Sequence, residues 1–176
     1  MNEGHISVKT RLKEFAIDYA VIVAYLVAVF AVAATFYMAA FGEIPAFSQW
    51  QSQLIATCAS IIPVVIMFSI LDYRAPFGTF GKRKAGLKVR YKTRAYWRSF
   101  VRNGVKFLPW QLAHMGVIGG MYSDFTSPLA MVALYASLGL LALLFGMVLF
   151  RKDGRHLGDM AAGTQVVHIT PSAVKS

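Results

Sequence analysis

Residues 19–41 contain no charged side chain, and neither do residues 129–150. Each run is longer than the roughly 20 apolar residues that a helix needs to cross about 30 Å of hydrocarbon. A third run, residues 54–71, is broken only by Pro63, which a membrane helix tolerates because neighbouring helices can satisfy the freed backbone. These blocks constrain the chain more than any motif. A soluble core helix alternates its apolar face with charge every turn, and these segments do not. Only 15% of the 176 residues are charged, where soluble domains carry about a quarter. The expected fold class is an all-α integral membrane protein. A single membrane domain is expected over residues 1–170, with a short tail at 171–176.

The first run is too long for the apolar core of a cleavable signal, about 7–15 residues, and Asp18 stands at its mouth; it reads as a retained span. One cysteine, Cys58, makes no internal disulfide. It is expected to pack as a small residue between helices.

Charge sets the topology. The formal net charge is +10, yet the cations are not spread evenly. Lys9, Arg11 and Lys13 precede the first run, eleven Lys and Arg fall in residues 74–106, and Arg151, Lys152, Arg155 and Lys175 follow the last run. The segments around Glu43 and Asp124 hold no cation. Lys and Arg concentrate on the cytoplasmic side of inserted helices. Both basic flanks can lie on one side only if residues 106–122 also cross, despite Gln111 and His114. Four spans are expected, at about 16–41, 54–72, 106–122 and 129–150, with both termini cytoplasmic. Three spans plus a re-entrant segment is the alternative. Insertion then explains the excess of cations without nucleic acid, and anionic lipid headgroups become the default partner of the basic face.

The most basic stretch, FGTFGKRKAGLKVR (residues 77–90), is not a phosphate loop. That pattern needs G-x-x-x-x-G-K-[ST], whereas Gly78 and Gly81 are three apart and Arg83 follows Lys82. The G-x-G-x-x-G dinucleotide pattern is absent too.

Gly81-Lys82-Arg83 followed by Gly86-Leu87-Lys88-Val89 resembles the motif T-P-G-K-R-x-x-G-L-x-V of the RDD family of small bacterial membrane proteins. Thr79 fits that motif, and Phe80 replaces its proline. Arg11 and Asp18 have the spacing of the family's first-helix arginine and aspartate. Arg102-Asn103 resembles its R-N element, and Asp159 with Ala162-Gly163-Thr164 and Val166-Val167 resembles its H-D-x-x-A-G-T-x-V-V ending. Gly158 stands where the family has histidine, with His156 two residues earlier. The resemblance runs from about residue 9 to 167. It implies a multi-pass protein of the bacterial cytoplasmic (inner) membrane with a transport role, whose second signature aspartate is Asp72 or Asp159.

An ionisable group at membrane depth is expensive and usually faces the bundle interior. Asp18 therefore has two readings: an ion pair that pins the first helix, or a group that handles cations or protons. Arg11 is seven residues away, on the same helix face but about 10 Å along the axis, so both would engage the same neighbouring segment instead of each other. Ile22, Tyr25 and Val29 continue that face, beside a small-residue stripe of Ala20, Ala24 and Ala28 suited to close helix approach. Asp72 is expected to bridge to Arg74. Asn103, Lys106, Gln111 and His114 form a polar stripe. His114 is either a hydrogen-bonding helix contact or, with Asp18, part of a proton relay. The outer half of the bundle has nothing comparable, which argues against a continuous ion path through one protomer.

Arg94, Arg98, Arg102 and Lys106 recur every four residues opposite Trp97, as in a basic amphipathic helix lying on the inner leaflet. Residues 87–91 and 164–169 each follow a glycine, have strand-like composition and could pair as a small cytoplasmic ribbon. Asp153, His156 and Asp159 are three apart, but with no cysteine or second histidine they make a poor metal site. No nucleophile stands beside a matching base, so the chain is not expected to be an enzyme, and neither metal nor cofactor is expected. The ion-handling candidates are thus Arg11, Asp18, Asp72, His114 and Asp159. The lipid-facing cations are Lys82, Arg83, Lys84, Arg94, Arg98, Arg102 and Lys106. A second copy is a further expected partner, because four spans make a thin bundle, and small cations or protons are the expected cargo.

Overall fold

The computed structural model describes residues 6–169; the expected tail at 171–176, with Lys175, lies outside them. Helix α1 (Val8–Phe41) is capped at its start by the Ser7 hydroxyl and stopped by Gly42 in the left-handed region. At 34 residues it is about 50 Å long. Helix α2 (Gln49–Ala56) runs through a π-helical turn (Thr57–Ile61) into α3 (Ile62–Tyr73), so the three form one rod. Pro63 explains the turn. It has no N–H to give to the carbonyl of Ala59, and that carbonyl accepts the Tyr25 hydroxyl of α1 at 2.7 Å instead.

A short helix α4 (Phe80–Lys84) and strand β1 (Leu87–Tyr91) follow. Helix α5 (Tyr96–Tyr122) is continuous through Pro109. It turns back into α6 (Pro128–Phe150), then α7 (Leu157–Ala162) and β2 (Thr164–His168). The strands pair antiparallel, with Leu87 opposite His168, Val89 opposite Val166 and Tyr91 opposite Thr164. This is the ribbon that the glycine-led segments predict, with β2 one residue shorter.

Glycines bring α5 and α6 together. A Cβ at Gly116 would lie 2.7 Å from the backbone nitrogen of Leu134, and one at Gly119 would lie 3.1 Å from the Ala130 Cβ. A core of Ile22, Val64, Phe68 and Phe107 joins α1, α3 and α5. Helix α1 touches α6 through Phe15 and Phe145, whose ring centres are 4.8 Å apart. Further along, the two helices leave a cavity open.

Among the described residues, three helical rods are long and apolar enough to cross a membrane: Val8–Phe41, Gln49–Tyr73 and Pro128–Phe150. Only 6%, 28% and 22% of their most apolar windows is buried, so most of that surface needs apolar cover. Helix α5 is 27 residues long, ample to span, but more polar.

Four expectations need correction. Residues 94–106 do not form a separate interfacial helix: α5 runs unbroken from Tyr96, and Arg102 turns inward because two carboxylates meet it there. Cys58 is exposed on the π turn, not packed between helices. Ala20, Ala24 and Ala28 are exposed, so the small-residue stripe has no helix against it among the described residues. The end of the bundle away from the basic segments is not empty of polar contacts. Gln111 and Thr57 exchange hydrogen bonds, Gln53 donates to the carbonyl of His114 at 3.3 Å, and the Tyr122 hydroxyl donates to the carbonyl of Phe47. These join helices to one another.

Candidate functional site

Half of the chain's eight acidic residues meet at one end of the bundle, where α1, α3, α4, α5, α7 and β2 converge. Asp18 on α1 is fully engaged. Its Oδ2 accepts the Thr79 hydroxyl at 2.7 Å and its Oδ1 accepts the Gly81 N–H at 2.8 Å. The Lys106 ammonium stands 4.0 Å from Oδ2. One turn earlier, Glu14 takes Arg11 at 3.0 Å on one oxygen and Lys82 at 3.2 Å on the other. Lys82, 0% exposed, also reaches Asp72 at 3.4 Å. Arg102, 2% exposed, bridges Asp72 through Nη1 and Asp159 through Nε, the latter at 2.7 Å. Asn103 donates to Asp72 at 3.3 Å, and the Thr164 hydroxyl donates to Asp159 at 2.7 Å.

Four carboxylates (Glu14, Asp18, Asp72, Asp159) thus face four cations (Arg11, Lys82, Arg102, Lys106). A buried charge is tolerable only when paired and hydrogen-bonded, and the set balances. Burial alone would push the Lys82 ammonium down, but Asp72 and Glu14 reverse this and hold it above its ordinary value. Burial likewise opposes the Asp159 carboxylate, and Arg102 beside it overrides this and holds it well below the usual carboxylate range.

The basic stretch now has a structural reason. Thr79 caps α4 and donates its O–H to Asp18 in a hydrogen bond; its oxygen accepts from the Lys82 ammonium at 3.2 Å. A Cβ at Gly81 would collide with the carbonyl of Glu14 and lie 2.7 Å from Asp18 Oδ1. Gly86, at φ +70°, turns the chain into β1. The departure at Gly158 is explained in the same way. A Cβ there would lie 2.5 Å from the Arg102 carbonyl, so no histidine fits. The helical turn nevertheless restores a histidine–aspartate contact, because His156 Nε2 lies 3.3 Å from Asp159 Oδ2.

Of the ion-handling candidates, the structure brings Arg11, Asp18, Asp72 and Asp159 into this cluster and leaves His114 out. His114 is eight residues beyond Lys106 on α5, about 12 Å along the axis, and accepts the Trp110 indole N–H at 3.2 Å. The Asp18–His114 relay is therefore not assembled. Arg11 and Asp18 engage different segments, since Arg11 reaches the carbonyl of Gly154 at 3.3 Å. Asp72 is bound to Lys82 and Arg102, not Arg74. Asp153 pairs with Arg151 at 3.0 Å, away from His156.

Among the expected lipid-facing cations, Lys82 and Arg102 are buried and Lys106 is partly so; their charge is used inside the fold. Lys84 and Arg94 are exposed, and Arg83 and Arg98 half-buried. Arg94 stacks on Tyr73 and Phe77, and Arg98 on Trp97. Sequence reasoning missed Glu14, Thr79 and Thr164 as partners. A visible signal was there for Thr79, a capping residue three positions before Lys82.

A cavity of about 790 Å³ lies between α1, α5 and α6, with Arg11, Glu14, Asp18, Lys106, His156 and Asp159 at its charged end. Its remaining walls are almost wholly apolar, among them Ile22, Phe107, Trp110 and Leu144. His156 at this end responds to pH. Gly158 N–H donates to its Nδ1 at 3.0 Å, which places the ring proton on Nε2. Burial, with Arg102, Lys106 and Lys82 near, pushes the imidazole down to about 4 against the pull of Asp159. An unfolded histidine titrates near 6.5. Between those values the unfolded chain binds a proton that the folded chain refuses, so stability falls as pH drops from about 6.5 to about 4, by about 3 kcal/mol in the limit. Below this, protonation of Asp159 removes more. The melting temperature in uncharged detergent should therefore fall from pH 7 to pH 5, and His156→Asn, which keeps a capping acceptor, should flatten that slope. Equal slopes would remove His156 as the cause.

Lipid-length apolar helices, joined at one end by a balanced buried charge cluster beside an apolar cavity, define a helical protein of membrane type. The sequence profile of the RDD family matches residues 7–163, and the chain belongs to that family. No curated protein and no solved structure matches it.

Proposed function

We propose that the chain is a four-span protein of the bacterial inner membrane, with both termini and the charged cluster on the cytoplasmic side, and that it exchanges small cations or protons at Asp18. The alternation of cations with apolar runs supports the topology, and the length of α5 allows it to supply the fourth crossing. The observation that carries the exchange reading is the Asp18–Lys106 pair. At 4.0 Å it is the longest ion pair of the cluster, and both partners line the cavity. A cation or proton arriving at Asp18 competes there with the weakest of its partners. The site acts by binding and release, not as an enzyme.

The balanced charge of the cluster favours a second reading. Four carboxylates matched by four cations hold a fold without any cargo. The exposed Lys84 and Arg94 would then recruit anionic lipid or a partner protein, with the chain as a non-transporting scaffold or accessory subunit, alone or as a homo-oligomer.

Flux separates the two. Purified protein is sealed in liposomes around a pH-sensitive dye, a proton gradient is imposed, and Na⁺, K⁺ or Li⁺ is added in turn. A cation-triggered pH change is expected from wild type. It should vanish in Asp18→Asn, compared as folded protein by size exclusion because the amide keeps one acceptor for Thr79 and turns a donor toward the Gly81 N–H. A flat trace from folded wild-type protein would overturn exchange in favour of the scaffold.

A further inference from the structure

We infer that the cavity between α1, α5 and α6 binds a single-chain amphiphile with an anionic oxygen headgroup, entering sideways from the bilayer. This goes beyond ion exchange and does not depend on it.

The hydrogen-bonding capacity left at the charged end specifies the headgroup. The three carboxylates lining the cavity, Glu14, Asp18 and Asp159, have both oxygens engaged. What is unused is all donor. Arg11 Nε is buried without a hydrogen-bond partner on a side chain more than nine-tenths buried, and His156 Nε2, also without a hydrogen bond, stands 3.3 Å from Asp159 Oδ2. The Lys106 ammonium has Asp18 at 4.0 Å and the faces of Phe68 and Phe107 near it, within the field of Lys82, Arg102 and Glu14. Three residues lining one cavity thus offer N–H groups, two of them cationic. A buried donor without a partner is costly, and a carboxylate or phosphate oxygen relieves it with a charge-assisted bond. A cationic head brings only donors and would not, and a neutral head accepts without the charge that Arg11 and Lys106 reward.

The rest of the cavity specifies the tail. Its volume of about 790 Å³ suits a small-molecule ligand. Its wall beyond the charged end is formed by Ile22, Leu26, Phe107, Trp110, Leu141 and Leu144. Leu12, Tyr19, Val23 and Leu138 line it too and are at least 38% exposed, so the opening has an apolar rim that faces hydrocarbon. A water-soluble anion would have to cross that rim, whereas a chain already in the bilayer slides through it.

Trp110 lies in the wall and can report occupancy. The exposed Trp50 and Trp97 are replaced, Trp50→Phe and Trp97→Phe, so that only Trp110 emits. Dibrominated stearate, titrated in uncharged maltoside micelles, should quench Trp110 saturably. Oleate or oleoyl lysophosphatidate should displace it and monoolein should not; the more potent of the first two identifies a carboxylate or a phosphate head. Lys106→Gln should weaken binding by about tenfold or more, as for loss of a charged hydrogen bond. Ala113→Phe, which fills the apolar part away from the charges, should abolish saturation while the melting temperature holds, so the test stands even if the Lys106 variant fails to fold. Displacement by monoolein as potent as by oleate, saturation unchanged in Ala113→Phe, or no saturable quenching of folded protein would each overturn the assignment.

Discussion

Replacing Arg102 with leucine should cost about 3–5 kcal/mol, enough to strip most of the protein from the membrane fraction. The side chain fits its place, and the damage comes from what it leaves behind. Asp72 and Asp159, 0% and 1% exposed, both depend on the one guanidinium, which offers Nη1 to the first and Nε to the second. Lys82 and Asn103 still reach Asp72, and Thr164 still reaches Asp159, but the cluster then holds four carboxylates against three cations in a region closed to water. Arg102→Lys keeps the charge and loses the fork, because an ammonium is a single point that cannot serve two carboxylates in fixed directions. Its loss should be intermediate. Adding Asp159→Asn to Arg102→Leu restores the balance and should recover part of the melting temperature. The test is folded yield and thermal midpoint by size exclusion in detergent. An Arg102→Leu midpoint equal to wild type would mean that the carboxylates are not ionised in the folded state.

The same pair of bonds shows what a linear reading can and cannot find. Uncharged runs are legible because the demand of a bilayer is local: every residue in about 20 must be tolerable in lipid, and the sequence states this directly. The ribbon is legible for a similar reason, since a glycine followed by a short run of strand-like composition is a local signal and both segments carry it. Arg102 is different. Its spacing from Arg98 and Lys106 fits a solvated basic face, and its neighbours in sequence say nothing of Asp72, 30 residues away, or Asp159, 57 away. Pairing across such distances converts what looks like surface into core. That is why residues 94–106 suggested an interfacial helix, and why Lys82 looked lipid-facing. Asp18 was legible as special because a carboxylate beside a membrane span is costly wherever it goes. Its main partners were not, because a hydroxyl and a backbone N–H carry no charge to draw attention to them.

Gly81→Ala should be nearly as severe as Arg102→Leu, although it adds only one methyl group. Helix α4 presses so closely on α1 that the new Cβ would collide with the carbonyl of Glu14 and stand 2.7 Å from Asp18 Oδ1. Neither atom can yield, since one is helix backbone and the other is the oxygen that takes the Gly81 N–H. Helix α4 must therefore move away. Overpacking of this kind costs about 1–3 kcal/mol. The retreat also removes the N–H and the Thr79 hydroxyl from an ionised carboxylate, which adds about as much again. A total on the order of 3–5 kcal/mol follows, and Lys82 would be drawn from Glu14 and Asp72 with its helix. Gly104 supplies the control. It lies inside α5 with nothing within 4 Å of a Cβ, so Gly104→Ala should be neutral or slightly stabilising, by up to about 1 kcal/mol. Hydrogen exchange over residues 79–84, with the thermal midpoint, distinguishes the outcomes. Fast exchange there in Gly81→Ala alone is expected. Protection equal to wild type would mean that α4 accepts the methyl without leaving Asp18, and that the close approach at Gly81 is not what holds α1 to the cluster.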